Sequence, residues 1–165
     1  MSDAWIFERL SKQHDRAEFS SGVDALDDYL KRRAGQELRR DVSMTYVLTR
    51  DDSPRVWAYY TLSATSVAMD KLPARLAKQL GYPAAPAALI GRLAVDQSLQ
   101  GQGIGQLVLI NALRRLAVSG TLAIMLVVVD PKDDAATAFY TRLGFVPLSS
   151  DDPRMYIPFK SIKGL

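Results

Sequence analysis

Apolar positions change period several times along the chain, and each change predicts an element. Residues 4–10, AWIFERL, read as a first strand. Val23, Leu26, Leu30, Ala34 and Leu38 then recur three or four apart, the spacing that gathers side chains on one face of a helix. Ser21 followed by Asp24 supplies an acidic variant of the capping box at its start, and the pattern ends near Arg40. MTYVLTR and RVWAYYTLSATSVAM are rich in β-branched and aromatic residues and are separated by Asp51-Asp52-Ser53-Pro54, which predicts an antiparallel hairpin.

DKLPARLAKQL predicts a short helix closed by Gly81, and YPAAPAALIGRLAVD leads through prolines into a strand over roughly Ala88 to Asp96. A helix from about Ile104 to Val118, a strand in LAIMLVVVD, a helix in DDAATAFYTRLG and strands near FVPLS and MYIPF follow. Early antiparallel strands followed by a strand-helix-strand-helix half predict an α/β fold, a central mixed sheet flanked by helices.

With 165 residues and 48% apolar composition, the chain has material for one sizeable core, so a single domain spanning 1–165 is expected. The longest apolar run, Leu122 to Val129, is far shorter than the roughly 20 residues a spanning helix requires, so no membrane association is expected. MSDAWIFERL carries charge where a secretory signal would be apolar. The absence of cysteine excludes disulfides and thiolate metal sites, and a lone histidine, His14, excludes a histidine-based zinc site. A metal-free cytoplasmic protein is the expectation.

The net charge of +3 favours anionic partners without naming one. Acids dominate before Leu30, whereas KRRAGQELRR at 31–40 is basic. On a helix Arg32, Gln36, Arg39 and Arg40 share a face, which suits either phosphates or plain solvation.

The most specific chemistry lies in LAVDQSLQGQGIGQLVL, residues 93–109, where three glycines alternate at the start of a predicted helix. Such a turn offers unpaired amides and the positive end of the helix dipole to a phosphate. A Walker loop is excluded because Gln106 and Leu107, not Lys-Ser or Lys-Thr, follow Gly105. A dinucleotide fingerprint is disfavoured because Gln106 occupies its third small-residue position and QSLQ separates strand from turn. On these residues alone, a turn that binds nothing remains open.

Gln100-Gly101-Gln102-Gly103-Ile104-Gly105 resembles the Gln/Arg-x-x-Gly-x-Gly/Ala pyrophosphate loop of the GCN5-related N-acetyltransferase superfamily, and stands after a strand and before a long helix as it does there. Phe139-Tyr140-Thr141-Arg142-Leu143-Gly144-Phe145 resembles the family's second landmark. A narrower resemblance, carried by FSSGVDALDDYLKRRA, YYTLSATSV, LIGRLAVDQSLQGQGIG and AFYTRLGFVPL, is to the acetyltransferase toxins of bacterial toxin–antitoxin pairs. Many relatives have Cys where Ser21 stands; Ser caps helices well, so no loss of function follows.

The resemblance implies a mostly antiparallel sheet and acetyl-CoA as cosubstrate. It also implies transfer to the α-amino group of aminoacyl-tRNA, blocking translation, together with a ribbon-helix-helix antitoxin and a homodimer. By resemblance, the backbone of Leu93, Ala94 and Val95 pairs with the pantetheine arm and polarises the acetyl carbonyl. The amides of Gln100, Gly101, Gln102, Gly103, Ile104 and Gly105 take the pyrophosphate, Phe139 adds a cofactor contact, and Tyr140 is the general acid. Pattern alone favours a packed helix aromatic at Tyr140, and its place in the family motif reverses this.

Residues 88–95, ALIGRLAV, contain no carboxylate to serve as base, and the nearest is Asp96. A lysine amine, pKa about 10.4, needs more help losing a proton than an α-amine near 7.7 to 8, so the missing base fits the weaker amine. Arg92, the one charged side chain in that strand, suits acceptor phosphate, cofactor or a structural ion pair. Arg32, Arg33, Arg39 and Arg40 form a second candidate tRNA contact. Acetylation of a protein N-terminus or small amine, and a non-catalytic acetyl-CoA-binding module, are the alternatives.

Overall fold

The structure, a computed structural model, describes residues 4–165; the first three, part of the charged amino-terminal stretch, lie outside it. Seven strands, β1 (Trp5–Arg9), β2 (Met44–Arg50), β3 (Ala58–Ala68), β4 (Ala84–Val95), β5 (Leu126–Val129), β6 (Val146–Ser149) and β7 (Asp152–Pro158), form one sheet in the order β1-β2-β3-β4-β5-β7-β6. The β1–β2, β2–β3, β5–β7 and β6–β7 pairs are antiparallel, and β4–β5 is parallel. The helices are α1 (Asp24–Asp28), α2 (Ala34–Arg39), α3 (Ala74–Ala77), α4 (Ile104–Ser119) and α5 (Asp134–Arg142). The mixed, mostly antiparallel sheet with flanking helices is the arrangement expected from the sequence.

Two compact units divide the chain. The first comprises the residues up to Ser63 with Gly91–Ala112; the second comprises Ala64–Ile90 with Leu113–Leu165. In the first, the hairpin aligns Met44 with Leu62 and Leu48 with Ala58, as its residue types require. Phe19, Tyr29, Leu30, Val47 and Tyr59 fill its core. In the second, Leu126–Val129 is buried throughout, as a strand with a neighbour on each side must be. Val67, Ala87, Leu126, Val128 and Leu148 make its core.

Several predicted boundaries shift for identifiable reasons. β4 begins at Ala84, ahead of the expected Ala88. The prolines that argued for a later start lack N–H groups, but their carbonyls accept: Met69 N–H donates to Pro83 and Met125 N–H to Pro86. The strand expected in LAIMLVVVD contracts to its last four apolar residues, leaving Leu122 78% exposed. The helix expected in DKLPARLAKQL breaks at Pro73 into a 3-10 turn, Met69–Lys71, and the single turn of α3. α4 matches its expected span within a residue.

The helix expected over residues 23–40 is interrupted. A π-helical turn, Tyr29–Arg33, separates α1 from α2, and both Tyr29 and Leu30 are buried. Ser21 also does not cap as expected. Val23 occupies the N-cap, whereas the Ser21 hydroxyl accepts from Val23 N–H (3.2 Å) and donates to Asp27 Oδ1 (2.7 Å).

Candidate functional site

In the first unit, β4 delivers its last residues to the glycine turn. Its ladder with β5 runs from Ala87↔Leu126 to Ile90↔Val129, and Gly91 to Val95 continue past the last of these pairs. Asp96, 4% exposed, ends the strand and caps the 3-10 turn Gln97–Leu99. Its carboxylate accepts from Ser20 N–H (3.0 Å), Ser98 N–H (3.1 Å) and the Ser98 hydroxyl (2.7 Å). Burial opposes its charge, but these hydrogen bonds and Arg55 outweigh burial and hold the carboxyl below its usual range. Asp96 is therefore a structural anion and a poor proton acceptor.

Gln100 anchors the turn. Its side-chain amide donates to the carbonyls of Ser21 (2.8 Å) and Val95 (2.9 Å), and its own N–H reaches Gln97 at 3.3 Å. Of the residues assigned to pyrophosphate, Gln100 thus has its amide already engaged. Gly101 and Gly103 have φ of +79° and +82°, the left-handed region that side chains resist. A Cβ on either would meet nothing within 4 Å, so conformation rather than crowding demands glycine.

The first bond of α4 runs from Leu107 N–H to Gly103 carbonyl, 3.2 Å. The amides of Ile104, Gly105 and Gln106 therefore precede the intrahelical ladder at the positive end of a long helix. Residues 97–105 carry no carboxylate. Open space, amino-end amides and absent negative charge together fit a pyrophosphate.

Arg92 is half-buried, and its guanidinium carbon lies 3.6 Å over the Tyr29 ring. Among the described residues it makes no ion pair, so the ion-pair alternative is replaced by an aromatic seat. Tyr29 donates to Glu37 (2.8 Å) and stacks on Tyr59, whose hydroxyl donates to the Leu26 carbonyl (2.6 Å). Burial and Glu37 raise the Tyr29 pKa, and burial raises that of Tyr59, so both phenols remain neutral donors. Sequence reading missed this network; its one visible signal was a tyrosine beside Leu30 on the buried side of the helix.

Arg32, Arg33, Arg39 and Arg40 are exposed. Arg32 faces Asp28 at 3.9 Å, both well solvated, a contact of little energetic weight. The π turn between them changes the spacing that placed Arg32 and Gln36 on one α-helical face.

In the second unit, α5 is capped by Asp133, whose carboxylate accepts from Ala136 N–H at 2.8 Å. It ends where Leu143 and Phe145 N–H groups both return to the Tyr140 carbonyl at 3.1 Å, a reversal that requires Gly144 at φ +100°. The Tyr140 ring meets Phe139 and Phe145 edge-on, with centroids 5.2 and 5.5 Å away. Tyr140 is 8% exposed, and burial, with a smaller effect of the Asp130 charge, pushes its phenol up to about 12. Such a phenol stays protonated near neutrality.

The structure thus gathers Arg92, Leu93, Ala94, Val95 and residues 100–105 within the first unit, and describes Phe139 and Tyr140 within the second. No cluster of metal-binding side chains exists among the described residues.

Residues 12–145 match the Acetyltransferase (GNAT) family. A probable toxin TacT of Sinorhizobium fredii is 32% identical, over 93% of this chain and 90% of the relative. A tRNA-acetylating toxin of Mycobacterium tuberculosis is 33% identical, over 95% and 93%. Among solved structures, AtaT complexed with acetyl-methionyl-tRNAfMet superposes with a TM-score of 0.89 at 29% identity, covering 97% and 98% of the two chains. AtaTR bound with AcCoA gives 0.85 at 31%, covering 99% and 98%. A tyrosine-to-phenylalanine mutant of the AtaT toxin bound to the C-terminus of the antitoxin AtaR gives 0.83 at 29%, covering 98% and 97%.

Proposed function

The chain belongs to the acetyltransferase (GNAT) family, and from that premise we propose that it is a toxin that transfers acetyl from acetyl-CoA to the α-amino group of an aminoacyl-tRNA. The observation that carries the acceptor is coverage: likeness to a tRNA-acetylating toxin runs over 95% of the chain, well beyond the two acetyltransferase landmarks. A family match that spans residues from both units supports one catalytic domain. Solved complexes of similar proteins with antitoxin, tRNA and AcCoA support the same set of partners here. No helix among the described residues is long and apolar enough to cross a membrane. Translation as the proposed target supports a cytoplasmic location. A homodimer accompanies this reading.

The amine nitrogen attacks the thioester carbonyl, the carbon–sulfur bond breaks, the nitrogen loses a proton and the departing thiolate gains one. Backbone groups of Leu93, Ala94 and Val95 orient and polarise the carbonyl; the Val95 carbonyl is held by Gln100. Gly101, Gln102, Gly103, Ile104 and Gly105 hold the pyrophosphate through backbone amides, which supplies orientation rather than chemistry. The Tyr140 hydroxyl hydrogen-bonds to the departing thiolate and passes it a proton; because the phenol is a weaker acid than a thiol of pKa about 8.5, this donation is coupled to release of the amine proton to water, from which Tyr140 recovers its own. Phe139 holds that ring edge-on. With Asp96 locked as a cap, no strand carboxylate serves as base, and an α-amine near pKa 7.7 to 8 is the acceptor that needs none.

Arg92, seated on Tyr29, and the exposed Arg32, Arg33, Arg39 and Arg40 contact acceptor phosphates. The test is cell-free translation with purified protein: arrest that requires acetyl-CoA and is relieved by fresh charged tRNA is expected. Arrest without acetyl-CoA, or unrelieved by charged tRNA, contradicts the reading.

A further inference from the structure

Away from the residues used above, the second unit contains a cavity of about 430 Å³ bounded by α3, the residues just before β5 and the end of β7. Its rim carries three exposed cations, Arg75, Lys160 and Lys163, and no carboxylate is among its described lining residues. Leu76, Met125 and Phe159 make an apolar floor. Backbone hydrogen bonds fix two of these residues: Phe159 N–H donates to the Met125 carbonyl (3.0 Å), and Met125 N–H to the Pro86 carbonyl (2.8 Å). The Lys163 ammonium lies 5.7 Å from the Phe159 ring centroid, so positive charge already sits beside an aromatic face.

A concave, pre-formed pocket of this size suits one flat ring system, where a helix face would need a longer groove. Flatness against an aromatic floor and negative charge at the rim describe a nucleotide. Gln79 on the wall offers both donor and acceptor, which tolerates any base. Met125 immediately precedes β5, whereas Asp130, whose charge reaches Tyr140, immediately follows it. Four strand residues lie between them, five residue rises or about 16 Å, so the pocket serves a nucleotide remote from the reacting amine.

We propose that this pocket receives an unpaired nucleotide of the acceptor RNA, its base against Phe159 and its phosphates against Arg75, Lys160 and Lys163. This rests on the aminoacyl-tRNA reading and adds a contact that holds the RNA body without entering the chemistry.

The test uses the full chain and fluorescein-labelled deacylated tRNA, with affinity measured across a salt series. The combined variant Arg75→Gln, Lys160→Gln, Lys163→Gln is expected to lower the slope of log affinity against log salt by about 2 to 3 and to weaken binding at least tenfold, ~1 slope unit per cation. Phe159→Leu keeps apolar bulk but removes the flat face; at least about fivefold weaker binding with an unchanged slope is expected. Acetyl-CoA binding and melting temperature should be unchanged in both variants.

If the wild-type protein acetylates charged tRNA and the triple variant binds tRNA with wild-type affinity and slope, the pocket is not an RNA site and the acceptor reading stands. If the wild-type protein neither binds nor acetylates tRNA, the acceptor reading falls and this inference with it. Loss of binding to an acidic antitoxin peptide with tRNA affinity intact makes the pocket a protein-docking site and overturns the proposal.

Discussion

The glycine turn at 101–105 and the end of α5 at 140–145 both depend on glycine at positive φ, yet they work in opposite ways. At Gly101 and Gly103 the glycines face open space, and what matters is the backbone they leave available. At Gly144 the reversal folds Phe145 back so that Tyr140 is enclosed by two rings, and what matters is one side chain. The first site has room for side chains but not the dihedrals that side chains prefer. The second depends on a single hydroxyl.

The sharpest break of this contrast is Tyr140→Phe, which removes the hydroxyl and keeps the ring packing. Transfer should fall at least about 100-fold, read as kcat, with acetyl-CoA binding and melting temperature retained. Asp96→Ala should do the reverse. Loss of the cap and its hydrogen bonds should cost about 2 kcal/mol in denaturant unfolding while kcat per folded molecule holds; a fall in kcat matching Tyr140→Phe would restore Asp96 as base. Gly103→Val forces a β-branched residue to φ +82° at about 1 to 2 kcal/mol of strain. Its expected signature is a roughly tenfold higher KM for acetyl-CoA with little change in kcat.

Smaller effects sharpen the picture. Arg39→Gln with Arg40→Gln should weaken tRNA binding a few-fold and reduce its salt slope by about 2. With pH, the rate should rise as the α-amine deprotonates near 7.7 to 8 and then stay flat to about pH 10, because burial of Tyr140 keeps its proton in place. A decline between pH 8 and about 10 would show another acid at work. For stability, the raised phenol pKa favours the neutral form in the fold, so this contribution is complete below about pH 10 and disappears as pH rises through about 12.

Elements governed by local pattern were legible in the sequence. α4 and the β2–β3 hairpin follow from period and turn residues, whereas the two landmarks were legible only through their resemblance to the acetyltransferase family. Contacts between distant segments were not. Nothing in local spacing indicates that Gln100 would tie Ser21 to Val95, 79 and 5 residues away. Arg92 on Tyr29 likewise needs strand and helix brought together first. The π turn escaped because Tyr29 and Leu30 lie three and four residues after Leu26, and Ala34 four after Leu30, so the local pattern carries no sign of the wider turn. Gly22 is similar: a Cβ there would come within 2.6 Å of the Gln97 side chain, a crowding set by chain packing rather than by neighbours in sequence.

The central claim is that the acetyl group goes to the α-amine of an amino acid esterified to tRNA, with Tyr140 as proton donor. Its most direct measurement is incubation of the purified protein with labelled acetyl-CoA and a mixture of charged and deacylated tRNA, followed by nuclease digestion and mass analysis. The prediction is label on aminoacyl-adenosine only, abolished by Tyr140→Phe. Label on polypeptide N-termini or a free amine, with aminoacyl-adenosine unmodified, would contradict it.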